Sequence, residues 1–98
     1  MIYLVFYDIS TDKIRNKIAR RLEAEGFERL QLSVFIGLMN PKTKPMLWKQ
    51  LTTWAATDQL GKLYVIACTK KQFREMEAIG GNHMDIAYLI GDKNVIFI

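Results

Sequence analysis

A chain of 98 residues, half of them apolar and 24% charged, fits one folded domain and excludes both a disordered polymer and a multidomain enzyme. Its one cysteine excludes an internal disulfide and fits a reducing, cytoplasmic location. No apolar run approaches a membrane span, and Ile2–Phe6 is too short and lacks the basic leader of a signal peptide.

The net charge of +4 is unevenly placed: residues 1–50 carry nine Lys/Arg against five Asp/Glu, and residues 51–98 carry five against five. A basic excess gathered in one half suits a polyanionic partner, nucleic acid first, or a surface kept soluble by charge.

Ile2–Tyr7 holds no polar group except two tyrosine hydroxyls, so it reads as a central strand covered on both faces. Ser10 or Thr11 is expected to cap a helix over Asp12–Glu25. Ile14, Ile18 and Leu22 form its apolar stripe, and Lys13, Arg15, Lys17, Arg20 and Arg21 occupy much of the rest. Gly26 is the expected stop. Phe27–Leu38 returns as extended chain, with Leu30, Leu32, Val34 and Ile36 on one face and Gln31, Ser33 and Phe35 on the other. Twelve residues are long for one strand, which leaves room for a reversal that the pattern does not place.

Asn40–Pro45 is expected as a loop. A second helix over Pro45–Thr57 carries Leu47, Leu51, Trp54 and Ala55 on its apolar stripe. A turn around Gly61 leads to a strand over Leu63–Thr69, apolar on both faces. The order is β-α-β(β)-α-β over residues 1–69, the α+β, ferredoxin-like split βαβ pattern with both helices on one face of an antiparallel sheet. Strands apolar on both faces then leave one face to be covered, and a sheet-to-sheet homodimer is the simplest cover. In the tail, residues 70–98, a short helix over Lys70–Ala78, a break at Gly80–Asn82, a helical turn over Asp85–Ile90 and a strand over Asn94–Ile98 are expected. That last strand is apolar and would add to a sheet, the partner's among the options.

Asp8 stands at the end of the first strand, just before a helix. It has two readings: a ligand for a hard divalent cation, which takes one or two carboxylates plus water and phosphate, or a partner for helix backbone N–H groups. No second acid completes a metal site within one chain, Asp12 being the nearest, whereas a twofold axis supplies a second Asp8. The basic helix and Arg29 are candidates to hold phosphates, or form an ordinary solvated face. Arg15 also lies where it could reach toward Asp8. Tyr7, Ser33 and Phe35 are candidates to stack on a base or bind phosphate, or to pack. His83 lacks partners at metal-ligand spacing, Cys68 sits in an apolar strand, and Trp48 and Trp54 read as helix packing. No Walker loop, GxGxxG, HExxH, CxxC or GxSxG occurs.

Three runs in order, YLVFYDIS, DKIRNKIARRLEAEGF and ERLQLSVFIG, resemble the small CRISPR-associated adaptation protein family, Cas-two in words. The likeness covers residues 1–37, and the order of elements agrees beyond them. It implies a ferredoxin-like homodimer whose C-terminal strand joins the partner's sheet. It also implies that Asp8 from both subunits binds Mg²⁺ or another divalent cation such as Mn²⁺ as the catalytic and metal residue. The implied activity is a metal-dependent endonuclease on single-stranded RNA or double-stranded DNA, working with the CRISPR integrase in spacer acquisition. By position, Tyr7, Arg15, Lys17, Arg29, Ser33 and Phe35 match residues of the family's nucleic-acid contacts, and Arg20 extends the basic helix beside them. Where many members carry Glu before the glycine of the third run, this chain has Ile36. Alternatives are a non-catalytic DNA-binding bridge in the integrase complex, a toxin-type ribonuclease similar to the virulence-associated D family, and a metabolite-binding regulatory dimer.

Overall fold

The computed structural model describes residues 1–77 and 79. Among them the order is β1 (Ile2–Asp8), α1 (Asp12–Ala24), β2 (Glu28–Gln31), β3 (Val34–Gly37), α2 (Pro45–Ala56), β4 (Lys62–Cys68) and α3 (Lys70–Arg74). The four strands make one sheet in the order β2-β3-β1-β4, every neighbouring pair antiparallel. This agrees with the α+β expectation and with the strand order of a split βαβ fold.

The long extended run is a hairpin. It reverses at Leu32–Ser33, between β2 and β3, and the register shifts between Arg29 and Gln31. The expected loop after β3 contains a 3-10 turn, Pro41–Thr43, capped by the Asn40 side chain, which accepts from the Lys42 N–H at 3.0 Å. α3 covers only the first part of the helix expected over Lys70–Ala78. The break at Gly80–Asn82, the turn over Asp85–Ile90, the strand over Asn94–Ile98 and His83 lie outside the described residues.

α1 ends as its sequence directs. Gly26 has φ +93°, a conformation open to glycine. Its N–H donates to Glu23 O at 3.0 Å, and the Phe27 N–H donates to Leu22 O at 3.0 Å. This is a Schellman ending, with Phe27 and Leu22 buried in the same cluster. At Gly37 the constraint is space: a Cβ there would lie 2.6 Å from the Phe27 ring.

The two sheet faces differ. On one, Val5, Tyr7 and Phe35 pack against Ile18, Leu22, Leu47 and Leu51 of the two long helices. Each fully buried aliphatic side chain there contributes about 1.5–3 kcal/mol. On the other face a smaller cluster of Ile2, Ile36 and Phe73 covers one end, with Leu4, Leu30, Cys68 and Met76 against it. Cys68 is therefore a packing residue, as expected. Toward the opposite end no described residue covers this face. Phe6 stacks on Tyr64 at 4.9 Å between ring centroids, and Tyr64 and Ile66 are 43% and 49% exposed. Among the described residues, the expectation that β1 is covered on both faces thus holds only at the Phe73 end.

The candidate site at the end of β1

Asp8 is the last residue of β1 and lies on the bare face, since Ile2, Leu4, Phe6 and Asp8 alternate with the helix-facing Tyr3, Val5 and Tyr7. It is exposed and, among the described residues, its carboxylate forms no hydrogen bond or ion pair. Directly opposite it in the β1–β4 pairing stands Lys62.

Asp8 accepts no bond from the backbone of the following helix, and the turn that leads into that helix is held by another acid. Thr11 is the N-cap of α1 and makes no side-chain cap bond. The Asp58 carboxylate reaches across from the α2–β4 turn, where Oδ2 accepts the Ser10 N–H at 2.7 Å, the Thr11 N–H at 3.3 Å and the Ser10 hydroxyl at 3.1 Å. Its other oxygen accepts the Leu60 N–H at 3.3 Å. Partial desolvation acts to raise the Asp58 pKa, but the hydrogen bonds from Ser10, Thr11 and Leu60 outweigh it and leave the carboxyl below its ordinary value. Thr11 thus takes the N-cap position as expected, but no side-chain cap bond forms there, and both Ser10 and Thr11 are held by Asp58.

Arg15 takes part in the same clamp and does not reach toward Asp8. One guanidinium nitrogen donates to Ile9 O at 2.9 Å and Ser10 O at 3.1 Å, and the other pairs with Asp12. The Tyr7 hydroxyl donates to Arg15 O at 3.3 Å. Burial raises the Tyr7 pKa against the opposing pull of Arg29, so the phenol stays neutral.

Phe35 is fully buried and Tyr7 nearly so, their rings 6.2 Å apart. Neither offers a free face to a base, and both act as core. Arg29 lies above Phe35, its guanidinium carbon 5.1 Å from the ring centroid, while the residue stays exposed at the sheet edge. Ser33 occupies the hairpin turn, and its carbonyl accepts the Tyr7 N–H at 3.1 Å. Asp8, the β2–β3 turn and Lys62 are thus brought to one end of the sheet.

The basic helix faces elsewhere. Lys13, Lys17, Arg20 and Arg21 line an open groove with Ala24 and Trp54 on the helical layer, away from the face that carries Asp8. Lys17 Nζ sits 5.4 Å from the Trp54 ring centroid. Arg21 is tied to Gln50 at 2.7 Å and to Glu25 at 2.6 Å, and Lys44 meets Glu25 at 2.8 Å. These two cations, Lys44 first, hold the Glu25 carboxyl below its usual range. Lys13 and Arg20 form no ion pair among the described residues.

Sequence reasoning passed over Asp58 and Lys62. Both functions depend on strand pairing and on contacts about fifty positions away in the chain, and no local motif marks either residue.

The model of the family described as CRISPR associated protein Cas2 matches residues 1–76. A Pyrobaculum aerophilum protein named CRISPR-associated endoribonuclease Cas2 2 is 54% identical over 41 residues, which is 42% of this chain and 45% of that one. An Archaeoglobus fulgidus protein named CRISPR-associated endoribonuclease Cas2 1 is 39% identical over 59 residues, 60% of this chain and 63% of that one. The match thus spans about half to three fifths of these relatives' length. The crystal structure of Streptococcus pyogenes Cas2 superposes with TM-score 0.65 at 24% identity, over 82% of this chain and all of that one. A hypothetical protein from Thermus thermophilus, TT1823, superposes with TM-score 0.60 at 25% identity, over 85% of this chain and 94% of that one.

Proposed function

This chain belongs to the CRISPR associated protein Cas2 family, and on that premise we propose that it is a divalent-metal-dependent endoribonuclease that acts as a homodimer in CRISPR adaptation, beside the CRISPR integrase. The observation that carries the reading is the state of Asp8: exposed at a strand end, its carboxylate without a partner among the described residues, with the turn into α1 held by Asp58. The names of the two relatives support the activity class. Single-stranded RNA is the first substrate to test, and double-stranded DNA the second.

The donor set suits a hard cation held in part by its substrate. No group of three His, Cys, Asp or Glu side chains lies together among the described residues, so no closed cage forms within one chain. One carboxylate, doubled by a twofold axis, matches the habit of Mg²⁺ or Mn²⁺ of taking few carboxylates and completing its shell with water and phosphate. Such an ion supplies Lewis acidity for phosphodiester hydrolysis. Asp8 would hold it, the Ser33 turn borders the same sheet end, and Arg29, on the helix-covered face over Phe35, together with Lys17 and Arg20 would hold phosphates of the chain beyond. Arg15 contributes by fixing the Ile9 and Ser10 carbonyls and so the exit of β1.

The homodimer reading is supported by the bare apolar face with Phe6, Tyr64 and Ile66. β4 is an edge strand among the described residues, which suits addition of a further strand, such as Asn94–Ile98 of a partner. No helix among the described residues is long and apolar enough to cross a membrane.

The test is cleavage of labelled single-stranded RNA and duplex DNA by wild type and Asp8→Asn, each in Mg²⁺ and in EDTA. Cleavage by wild type in Mg²⁺ alone is expected, and equal cleavage in all four conditions removes Asp8 and the metal from the mechanism. A second reading, a non-catalytic DNA-binding bridge, is favoured by the basic groove lying on the layer away from Asp8. It predicts that spacer acquisition survives Asp8→Asn and is lost on charge reversal at Lys13 and Arg20.

A further inference from the structure

Lys62 is the residue that β4 places against Asp8. In an antiparallel pair, directly opposed residues share a face, with Cβ atoms about 4.5–5.5 Å apart. Both side chains are exposed at the open end of the bare face, beyond Phe6 and Tyr64. An ion pair would be the ordinary outcome, yet none forms among the described residues. Among the described residues, an ammonium without an ion pair therefore stands across the strand pair from a carboxylate without one.

The pairing has two opposite consequences for a divalent cation. In the free protein the ammonium, across the strand pair from the carboxylate, repels the cation. When a phosphodiester arrives, its non-bridging oxygens accept from the ammonium and ligate the cation together, so the same charge becomes part of the site. Lysine suits this exchange better than arginine would, because its ammonium is a compact charge on a flexible stem, free to move between carboxylate and phosphate.

We propose that Lys62 couples cation loading at Asp8 to nucleic acid, opposing the cation in the free protein and holding the phosphate that completes its site. The inference rests on the reading of Asp8 as a cation ligand, and Lys62 is a specificity-determining neighbour of that ligand.

The test is Mn²⁺ affinity, followed by the electron paramagnetic resonance signal of the free ion, with and without a short oligoribonucleotide whose integrity is checked by gel after each titration. Wild type, Lys62→Ala, Lys62→Arg and Asp8→Asn are compared, with the oligonucleotide's own binding subtracted. Circular dichroism establishes that each variant is folded, and Lys62→Gln replaces Lys62→Ala if the latter is not. Free Lys62→Ala binds Mn²⁺ about three- to tenfold tighter than wild type. The oligonucleotide tightens Mn²⁺ binding in wild type and in Lys62→Arg, and does so less in Lys62→Ala. Equal Mn²⁺ affinities and equal gains in wild type and Lys62→Ala, with binding abolished in Asp8→Asn, overturn the role of Lys62 and leave Asp8 standing. Unchanged Mn²⁺ binding in Asp8→Asn overturns both.

Discussion

The Asp58 carboxylate grips Ser10 from across the domain, accepting its N–H at 2.7 Å and its hydroxyl at 3.1 Å. This one contact fixes the turn between β1 and α1 and leaves Asp8 unengaged two residues earlier. Replacing Asp58 with Ala exposes the Ser10 and Thr11 N–H groups, loosens the start of α1 and lowers the thermal midpoint. The effect depends on pH. The folded pKa of Asp58 lies below that of the unfolded chain, so its stabilisation is complete above the ordinary aspartate value, about 3.9, and is lost as pH falls through the folded value. Urea midpoints of wild type and Asp58→Asn are expected to differ at pH 7 and to converge in strong acid.

Gly37→Ala tests the packing of the hairpin under α1. The added Cβ meets the buried Phe27 ring at 2.6 Å, and overpacking of this kind costs about 1–3 kcal/mol. Gly26→Ala meets no atom and suffers only from its φ of +93°, at about 1–2 kcal/mol. Denaturant titration is expected to rank Gly37→Ala as the worse of the two.

The bare sheet face gives a prediction on assembly. Ile66→Glu places a charge among Phe6, Tyr64 and Leu4 on the face assigned to the dimer. Sedimentation is expected to show a dimer for wild type and a monomer for the variant, with the far-ultraviolet circular dichroism retained.

Charge reversal at Lys13 and Arg20 tests the groove on the helical layer. These side chains have no ion pair to lose among the described residues, so folding is expected to survive. Nucleic-acid affinity falls, and the slope of log K against log salt shrinks by about 0.7–0.9 for each phosphate contact removed.

How far the chain could be read from its sequence follows from how local each feature is. β1, both long helices and β4 were legible because a 3.6-residue stripe or an unbroken apolar run marks each. The hairpin reversal at Leu32–Ser33 was not placed, because alternation runs through it and no Gly, Pro or Asn marks the turn. Asp8 was legible as the acid ending a central strand, but its setting was not, because the residue that holds the turn beside it lies 48 positions beyond Ser10. Tyr7 and Phe35 carried the family likeness, yet their alternation could not tell a ligand-facing surface from the face buried under α1 and α2. Lys62 acquires meaning only through the β1–β4 register.

Whether Asp8 is a metal ligand is tested most directly by changing its softness. Asp8→Cys replaces a hard oxygen donor with a thiolate, which favours Zn²⁺ or Cd²⁺ over Mg²⁺. The account predicts that this variant leaves RNA uncut in Mg²⁺ and regains cleavage when Zn²⁺ or Cd²⁺ is added. Cleavage by Asp8→Cys in Mg²⁺ at the wild-type rate would contradict it.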